Sequence, residues 1–359
     1  MSNSVRVPLS LKQSDLDDYK KASQFVSKYM MEAREKAKLD SCFCCGKNCT
    51  SFCNSHSVPR FALKNIKNGN LIQGALGDDT ALPSKKGINN SGTFKLICDE
   101  CDNSLFRDYE DYKAYENRDN VTQKVMAEII EKVALNMIYK RHVERQIYLG
   151  MKDISFVAFI TMGLSQLQNI ELDLKDFNND YLRAKKSIDS NIEGRYVLQF
   201  YKKLNYITPI AFQDGLVLNY DLEGKIINDT YNKKANYKVQ SLYLCVFPLK
   251  NETVILMITD IKDTRYNRFF KQFNKLDENE QLQIINYLIF AYSENVFMSD
   301  KIPKEIRNNP ELLSVGQLGN MYMSVIGEKP TALVKEDFSY KNIDKIPNFL
   351  DEEMAKYVD

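Results

Sequence analysis

The chain has 359 residues, 44% hydrophobic and 27% charged, which excludes a wholly disordered polymer and fits about two domains. Its 49 Lys and Arg face 48 Asp and Glu, so a chain-wide basic coat for nucleic acid is excluded, although a local basic face is not. No uncharged apolar run reaches the roughly 18 residues of a membrane span, and Met1 to Leu11 lacks the apolar core of a signal peptide, so a cytoplasmic protein with no membrane partner is expected.

In chain order, residues 14–38 read as a helix. Ser14 is its expected N-cap, and Tyr19, Ala22, Phe25, Val26, Tyr29 and Met30 recur at helical spacing. It is expected to pack on the segment that follows. That segment holds seven of the eight cysteines: Cys42, Cys44, Cys45, Cys49 and Cys53, then Cys98 and Cys101. A chain of this length needs no disulfides to hold a core, and thiols clustered at two-residue spacing point to metal. Cys42-x2-Cys45 followed by Gly46, and Cys98-x2-Cys101, are two knuckles able to supply four thiolates to a tetrahedral zinc. Cys44, Cys49 or Cys53 could replace a member of the first pair, and spacing alone leaves that open. Asn68 to Gly92, between the knuckles, reads as loop, and residues 74–87 carry no phosphate-binding Gly-x4-Gly-Lys-Ser/Thr. A helix is expected just after Cys101, with Leu105, Phe106, Tyr109 and Tyr112 on one face.

A second long helix is expected from about Val121 to Tyr148, linking two domains, with Val125, Ile129, Val133, Met137 and Ile138 as its apolar stripe. Helices at 154–167 and 172–188 follow. Strands are expected at 206–212, 216–220 and 225–227, separated by turns at Asp214-Gly215 and Glu223-Gly224, and 237–247 with 253–258 reads as a hairpin. Helices return at about 263–275 and 278–293, and the last 60 residues carry weak helical signals without a repeat. Cys245, in an apolar strand, reads as core. Charge is uneven: residues 41–95 hold 7 basic and 2 acidic side chains, so the cysteine-bearing segment carries the local basic patch.

The two histidines separate by context. His142 falls on the polar side of the long helix. His56, in Ser55-His56-Ser57-Val58-Pro59-Arg60, lies between the knuckles, where it is a further zinc ligand, as in Cys53-x2-His56, a turn residue, or a reactive group. Arg60, Lys64 and Lys67 follow His56 at spacings of four, four and three, which places cations for phosphate on one face of a short helix or leaves them as a solvated face.

Cys42-x2-Cys45-Gly46, then Ser55-His56-x2-Pro59, then Cys98-x2-Cys101 opening a helix resembles the HNH, or His-Me finger, endonuclease family over about residues 41–112. The resemblance implies an α+β chain: an N-terminal zinc-stabilised ββα-metal (treble-clef-like) module over 41–118, an N-terminal helix in 1–40 packed on it, and a larger α+β C-terminal domain over 119–359. It implies structural Zn2+ on Cys42, Cys45, Cys98 and Cys101, His56 as general base, and Asp102 with Asn103 as ligands of a catalytic Mg2+ or Mn2+. Nucleic acid, DNA first, would be the partner of Arg60, Lys64 and Lys67. Antiphage and restriction proteins carry such domains fused to variable partners, so residues 119–359 would sense, position or form a homo-oligomer. Two positions depart from the family pattern. Ser55 stands where an acidic residue or His often helps hold the metal, and the middle Asn has no clear counterpart, with Thr93 near its place and Asn89 and Asn90 upstream. The alternative is a non-catalytic zinc module that binds nucleic acid or protein.

Overall fold

A computed structural model describes residues 13–66, 70–73, 87–230, 232, 234, 236–321 and 340–358. The expectations for Met1 to Leu11, for Lys67, for most of the loop between the knuckles, and for 322–339 lie outside the described residues. The architecture is α+β, as expected. Helix α1 (Gln13–Lys36) precedes a short strand β1 (Ser55–His56), helix α2 (Arg60–Asn65) and strands β2 (Leu71–Gln73) and β3 (Thr93–Phe94). Helix α3 (Asp99–Leu105) opens at the second knuckle, and α4 (Gln123–Ile154) runs for 32 residues.

The side chain of Thr122 caps α4 by accepting from the Val125 amide, and from Val125 to Leu135 the helix is buried on every side. Beyond it come one turn of helix, α5 (Phe156–Ala158), a π turn at Phe159–Gly163, and α6 (Leu164–Asp189), which lies back against α4. The two helices expected at 154–167 and 172–188 therefore form one nearly continuous rod, because no Gly or Pro breaks the chain between them. Helix α1 packs on the far half of α4. Ala33 and Ala37 meet Val143, and the Tyr29 hydroxyl donates to the Ile147 carbonyl.

Five further strands complete a sheet: β4 (Tyr196–Leu204), β5 (Ile210–Leu216), β6 (Leu242–Pro248), β7 (Thr253–Asp260) and β8 (Val296–Ser299). With β2 they form six antiparallel strands in the order β2-β8-β5-β6-β7-β4. Alternation along β6 assigns the two faces. Tyr243, Cys245 and Phe247 join the core that contains α4, whereas Leu242, Leu244 and Val246 join the core under α7 (Asn267–Phe273) and α8 (Glu278–Tyr292). Covered on both faces, β6 and β7 are buried along their whole length. Helices α9 (Lys304–Arg307) and α10 (Pro310–Met321) follow β8.

Several expectations change. The strands expected at 216–220 and 225–227 reduce to the end of β5 at Leu216 and an isolated Tyr220–Ile226 bridge, and α3 ends at Leu105, short of Tyr109 and Tyr112. Asp214-Gly215 is not a turn but the end of β5, where Gly215 opposes Tyr243. A side chain there would begin 3.2 Å from the Tyr243 ring and 3.4 Å from Val133 of α4, so the glycine admits close packing of helix on sheet. Strand β4, with Lys202 and Lys203 exposed in part at the sheet edge, lacks the apolar run that marked its neighbours. The division at residue 118 is also not a packing boundary. Strand β2, from the cysteine-bearing segment, pairs with β8, and one core runs from Cys42 to Phe297. The expected turn at Glu223-Gly224 is present, with Gly224 at φ +75° and the Asp221 amide bonded to the Lys225 carbonyl.

Strands β1 and β3 form a separate two-stranded antiparallel sheet, His56 opposite Thr93 and Ser55 opposite Phe94. Gly92, at φ +60°, turns into β3 and accepts the Ser57 amide on its carbonyl. A Cβ at Gly92 would lie 2.1 Å from the Phe297 ring of β8. Gly92→Ala is therefore expected to lower unfolding free energy by ~2 kcal/mol or more, from left-handed strain and overpacking together. Gly87→Ala, which meets nothing within 4 Å, should stay within about 0.5 kcal/mol of the parent in the same denaturant titration.

Candidate functional site

The turn after Cys42 brings the first knuckle around. The Gly46 amide bonds to the Cys42 carbonyl, and Gly46 takes φ +69°, a conformation that costs glycine little. Cys98 is the N-cap residue of α3, and Cys101 lies one turn on. The sulfurs of Cys42, Cys45, Cys98 and Cys101 all fall within 4.8 Å of one another, with Cys42 to Cys101 at 3.7 Å and Cys45 to Cys98 at 3.9 Å. A tetrahedral ion bonded at 2.3 Å to four sulfurs sets them ~3.8 Å apart, so the donor set fits an ion such as zinc. Burial pushes the Cys42 thiol up, but the backbone amides of Cys45, Cys98 and Cys44 outweigh it and bring it down to about 7. Burial and the three neighbouring sulfurs push Cys101 strongly upward, so only a cation among the four permits all of them to ionise.

The other clustered thiols face elsewhere. Cys44 is pushed up to about 12 by burial beside Tyr181, Cys49 bonds to the Lys47 carbonyl, and Cys53 reaches Asp102 Oδ2 at 3.4 Å. The geometry thus separates four sulfurs from three that spacing could not distinguish. His56 is not among the ligands.

On the other side of α3 lies a cluster of polar side chains. His56 Nε2 is 3.0 Å from the Ile88 carbonyl, which can only accept, so Nε2 carries the proton and Nδ1 the lone pair in the neutral ring. Burial lowers the His56 pKa, the nearby charges of Lys132 and Arg60 lower it further, and the Ile88 bond and the Asp102 charge oppose them without reversing the shift. The Arg60 guanidinium donates to Asn89 Oδ1 at 3.0 Å, tying α2 to the loop that presents Ile88, and its backbone amide donates to Glu110. Lys64 is exposed on the same short helix. Asn103 is exposed one position beyond Asp102, about 100° further round the helix, and so does not converge with it. His142 is partly buried on α4 outside this cluster.

The sequence reading missed Lys132. Its side chain is 1% exposed, and its Nζ donates to Asp102 Oδ1 and to Ser55 Oγ, each at 2.7 Å. The Ser55 hydroxyl in turn donates to Asp102 Oδ1. The ammonium also lies 4.0 Å from the centre of the Phe106 ring, with Phe94 and Tyr109 nearby. Burial raises the Asp102 pKa, but the Lys132 charge and hydrogen bond, with Ser55 and Cys53, outweigh it and hold the carboxyl below its ordinary value. A sequence signal existed: apolar residues surround α4 on all sides between Val125 and Leu135, so a charged residue there has to be internal.

The resemblance puts a divalent cation on Asp102 with Asn103, but Asn103 turns away and the space between Asp102 and Ser55 does not fit one. Both carboxylate oxygens of Asp102 are engaged by protein donors, and a fixed positive charge holds the intervening space. Comparisons with family models, curated proteins and solved structures each find no match. No described helix is long and apolar enough to cross a membrane.

Two outcomes are expected. Elemental analysis of purified protein should find one metal ion per chain, lost in Cys42→Ser and Cys101→Ser. Lys132→Met should lower unfolding free energy by ~3 kcal/mol or more, because it removes the only cation bonded to the largely buried Asp102 carboxylate among the described residues, and adding Asp102→Asn should recover part of that loss.

Proposed function

We propose that β1, β3 and α3 with the four cysteines form a zinc-stabilised ββα module that hydrolyses nucleic-acid phosphodiester bonds, with His56 as general base. The observation that carries this reading is the fixed tautomer of His56, whose Nδ1 lone pair is held neutral beside cationic side chains. A neutral imidazole is suited to taking a proton from water as its oxygen bonds to phosphorus. The bond from phosphorus to the leaving sugar oxygen breaks, and solvent returns a proton to that oxygen. Arg60, exposed and bonded to Asn89, would contact the phosphate, with Lys64 further along α2. Zinc in this reading holds β1 and α3 in register and takes no part in the reaction. Residues 119–359 supply α4 and the sheet against which the module packs, and DNA is the first substrate class to examine.

The second reading is a zinc module that binds nucleic acid or protein without cleaving it. The complete engagement of Asp102 and Lys132 with each other favours it, since neither is free for substrate.

Cleavage of plasmid DNA and of total RNA decides between them. The hydrolase reading expects cleavage that falls by ~100-fold or more in zinc-loaded His56→Ala. Binding without cleavage, or equal cleavage by both proteins, overturns it. The acid limb of the rate profile should also lie below pH 6.5. A base of lowered pKa stays unprotonated further into acid, so activity persists as pH falls through 6.5 and is lost only below it.

A further inference from the structure

We propose that the Lys132 ammonium permanently occupies the cation position of the His56 cluster, so that this cluster takes up no divalent metal and any cleavage there proceeds without one. The inference deepens the hydrolase reading and rests on it for its catalytic half alone; the exclusion of metal stands on geometry by itself. Ser55, just before His56 on β1, and Asp102, just after Cys101 on α3, converge on a single point. At that point is a nitrogen, 2.7 Å from both oxygens. A divalent ion would have to approach Asp102 Oδ1 at 2.0–2.1 Å with four or more further oxygens around it. Instead the neighbours of that space are the rings of Phe106, Phe94 and Tyr109, which solvate an ammonium well and offer no ligand atom to a hard dication. The remaining Asp102 oxygen faces the Cys53 thiol.

Lys132 has two hydrogen bonds and one ring face for its three donors, and its side chain is sealed from solvent. It is therefore a positioning residue. It sets Ser55 and Asp102, and through them β1 and its histidine, while its charge helps keep His56 neutral. Arg60 and Lys64 on α2 are the exposed cations that the hydrolase reading assigns to phosphate.

The chain has only two histidines, which makes the test direct. In 13C-histidine-labelled, zinc-loaded protein the two imidazole signals are assigned with His142→Gln, and Mn2+ is added in excess. His142 lies ten residues beyond Lys132 along α4, about 15 Å at 1.5 Å per residue. A paramagnetic ion between Ser55 and Asp102 would broaden His56 selectively. The expected result is an unchanged ratio of His56 to His142 intensity, and a several-fold selective loss of the His56 signal overturns the proposal. Lys132→Ala, where it remains folded and zinc-loaded, should vacate the space beside Asp102 for a hydrated Mn2+ ion and acquire that selective broadening. Continued exclusion of Mn2+ by the folded variant also overturns the assignment to Lys132. In the cleavage assay, protein dialysed free of Mg2+ and Mn2+ but retaining zinc should be as active as protein supplied with them. Activity restored only by added Mg2+ and lost in Asp102→Asn overturns the proposal. If nothing is cleaved under any condition, the hydrolase reading fails, and the His56 signal still decides whether Lys132 excludes the metal.

Discussion

A lysine ammonium enclosed by protein has to be matched by acceptors, and the arrangement around Lys132 follows from that requirement. Desolvating an unpaired ammonium costs several kcal/mol, so the chain must bring a carboxylate and further acceptors to it. Asp102 and Ser55 do so, and each belongs to a different element: α3 and β1. The ion pair therefore fixes the helix and the strand relative to α4. Since Asp102 follows Cys101 directly, the same contact sets the direction in which the second knuckle faces the first. The four sulfurs and the ammonium are two ends of one constraint, and α3 is the lever between them.

The consequences for chemistry run through charge. Burial, with the charges of Lys132 and Arg60, holds the His56 pKa below its ordinary value against the Ile88 hydrogen bond and the Asp102 charge. The Ile88 carbonyl then selects which nitrogen is basic. None of these groups is unusual alone. A histidine bonded to the Ile88 carbonyl, an arginine braced by Asn89 and four cysteines able to hold a metal ion stand on neighbouring elements. Where the resembled pattern would place a metal ligand, Asp102 is bonded instead by Lys132, Ser55 and Cys53.

The larger sheet serves the site as a wall. Its α4-facing side contributes Tyr243, Cys245 and Phe247 to the core that includes Phe94, Phe106 and Tyr109, the rings around the ammonium. Phe61 and Tyr115 pack edge-on against Phe247, joining α2 to β6. The opposite side is closed by a second core under α7 and α8, whose capping box at Asp277 and Glu280 marks a helix start that sequence patterning also located. Strand β2 and Gly92 connect the small sheet to β8, so the polar cluster and the sheet form one packed body across residue 118.

Local chemistry in the sequence determined a good deal. Cys-x2-Cys spacing carries the geometry of a knuckle within four residues, so both knuckles were legible, as were α4, α8 and the β6–β7 hairpin from periodicity. His56 stood out because the chain has only one other histidine. Tertiary structure decided the rest, for a physical reason that holds throughout: the deciding partners are remote in sequence. Which of five clustered thiols face the second pair depends on how the turn after Cys42 meets α3, 59 residues from Cys42 to Cys101. Whether Gly215 is a turn or a point of close packing depends on Tyr243 and Val133. Above all, the role of Lys132 depends on Ser55 and Asp102, 77 and 30 residues away. A lysine in a helix reads as solvated until burial shows which side of the helix it occupies. Spacing could name the cysteines, but only the packed fold could place a lysine where a metal ion was expected.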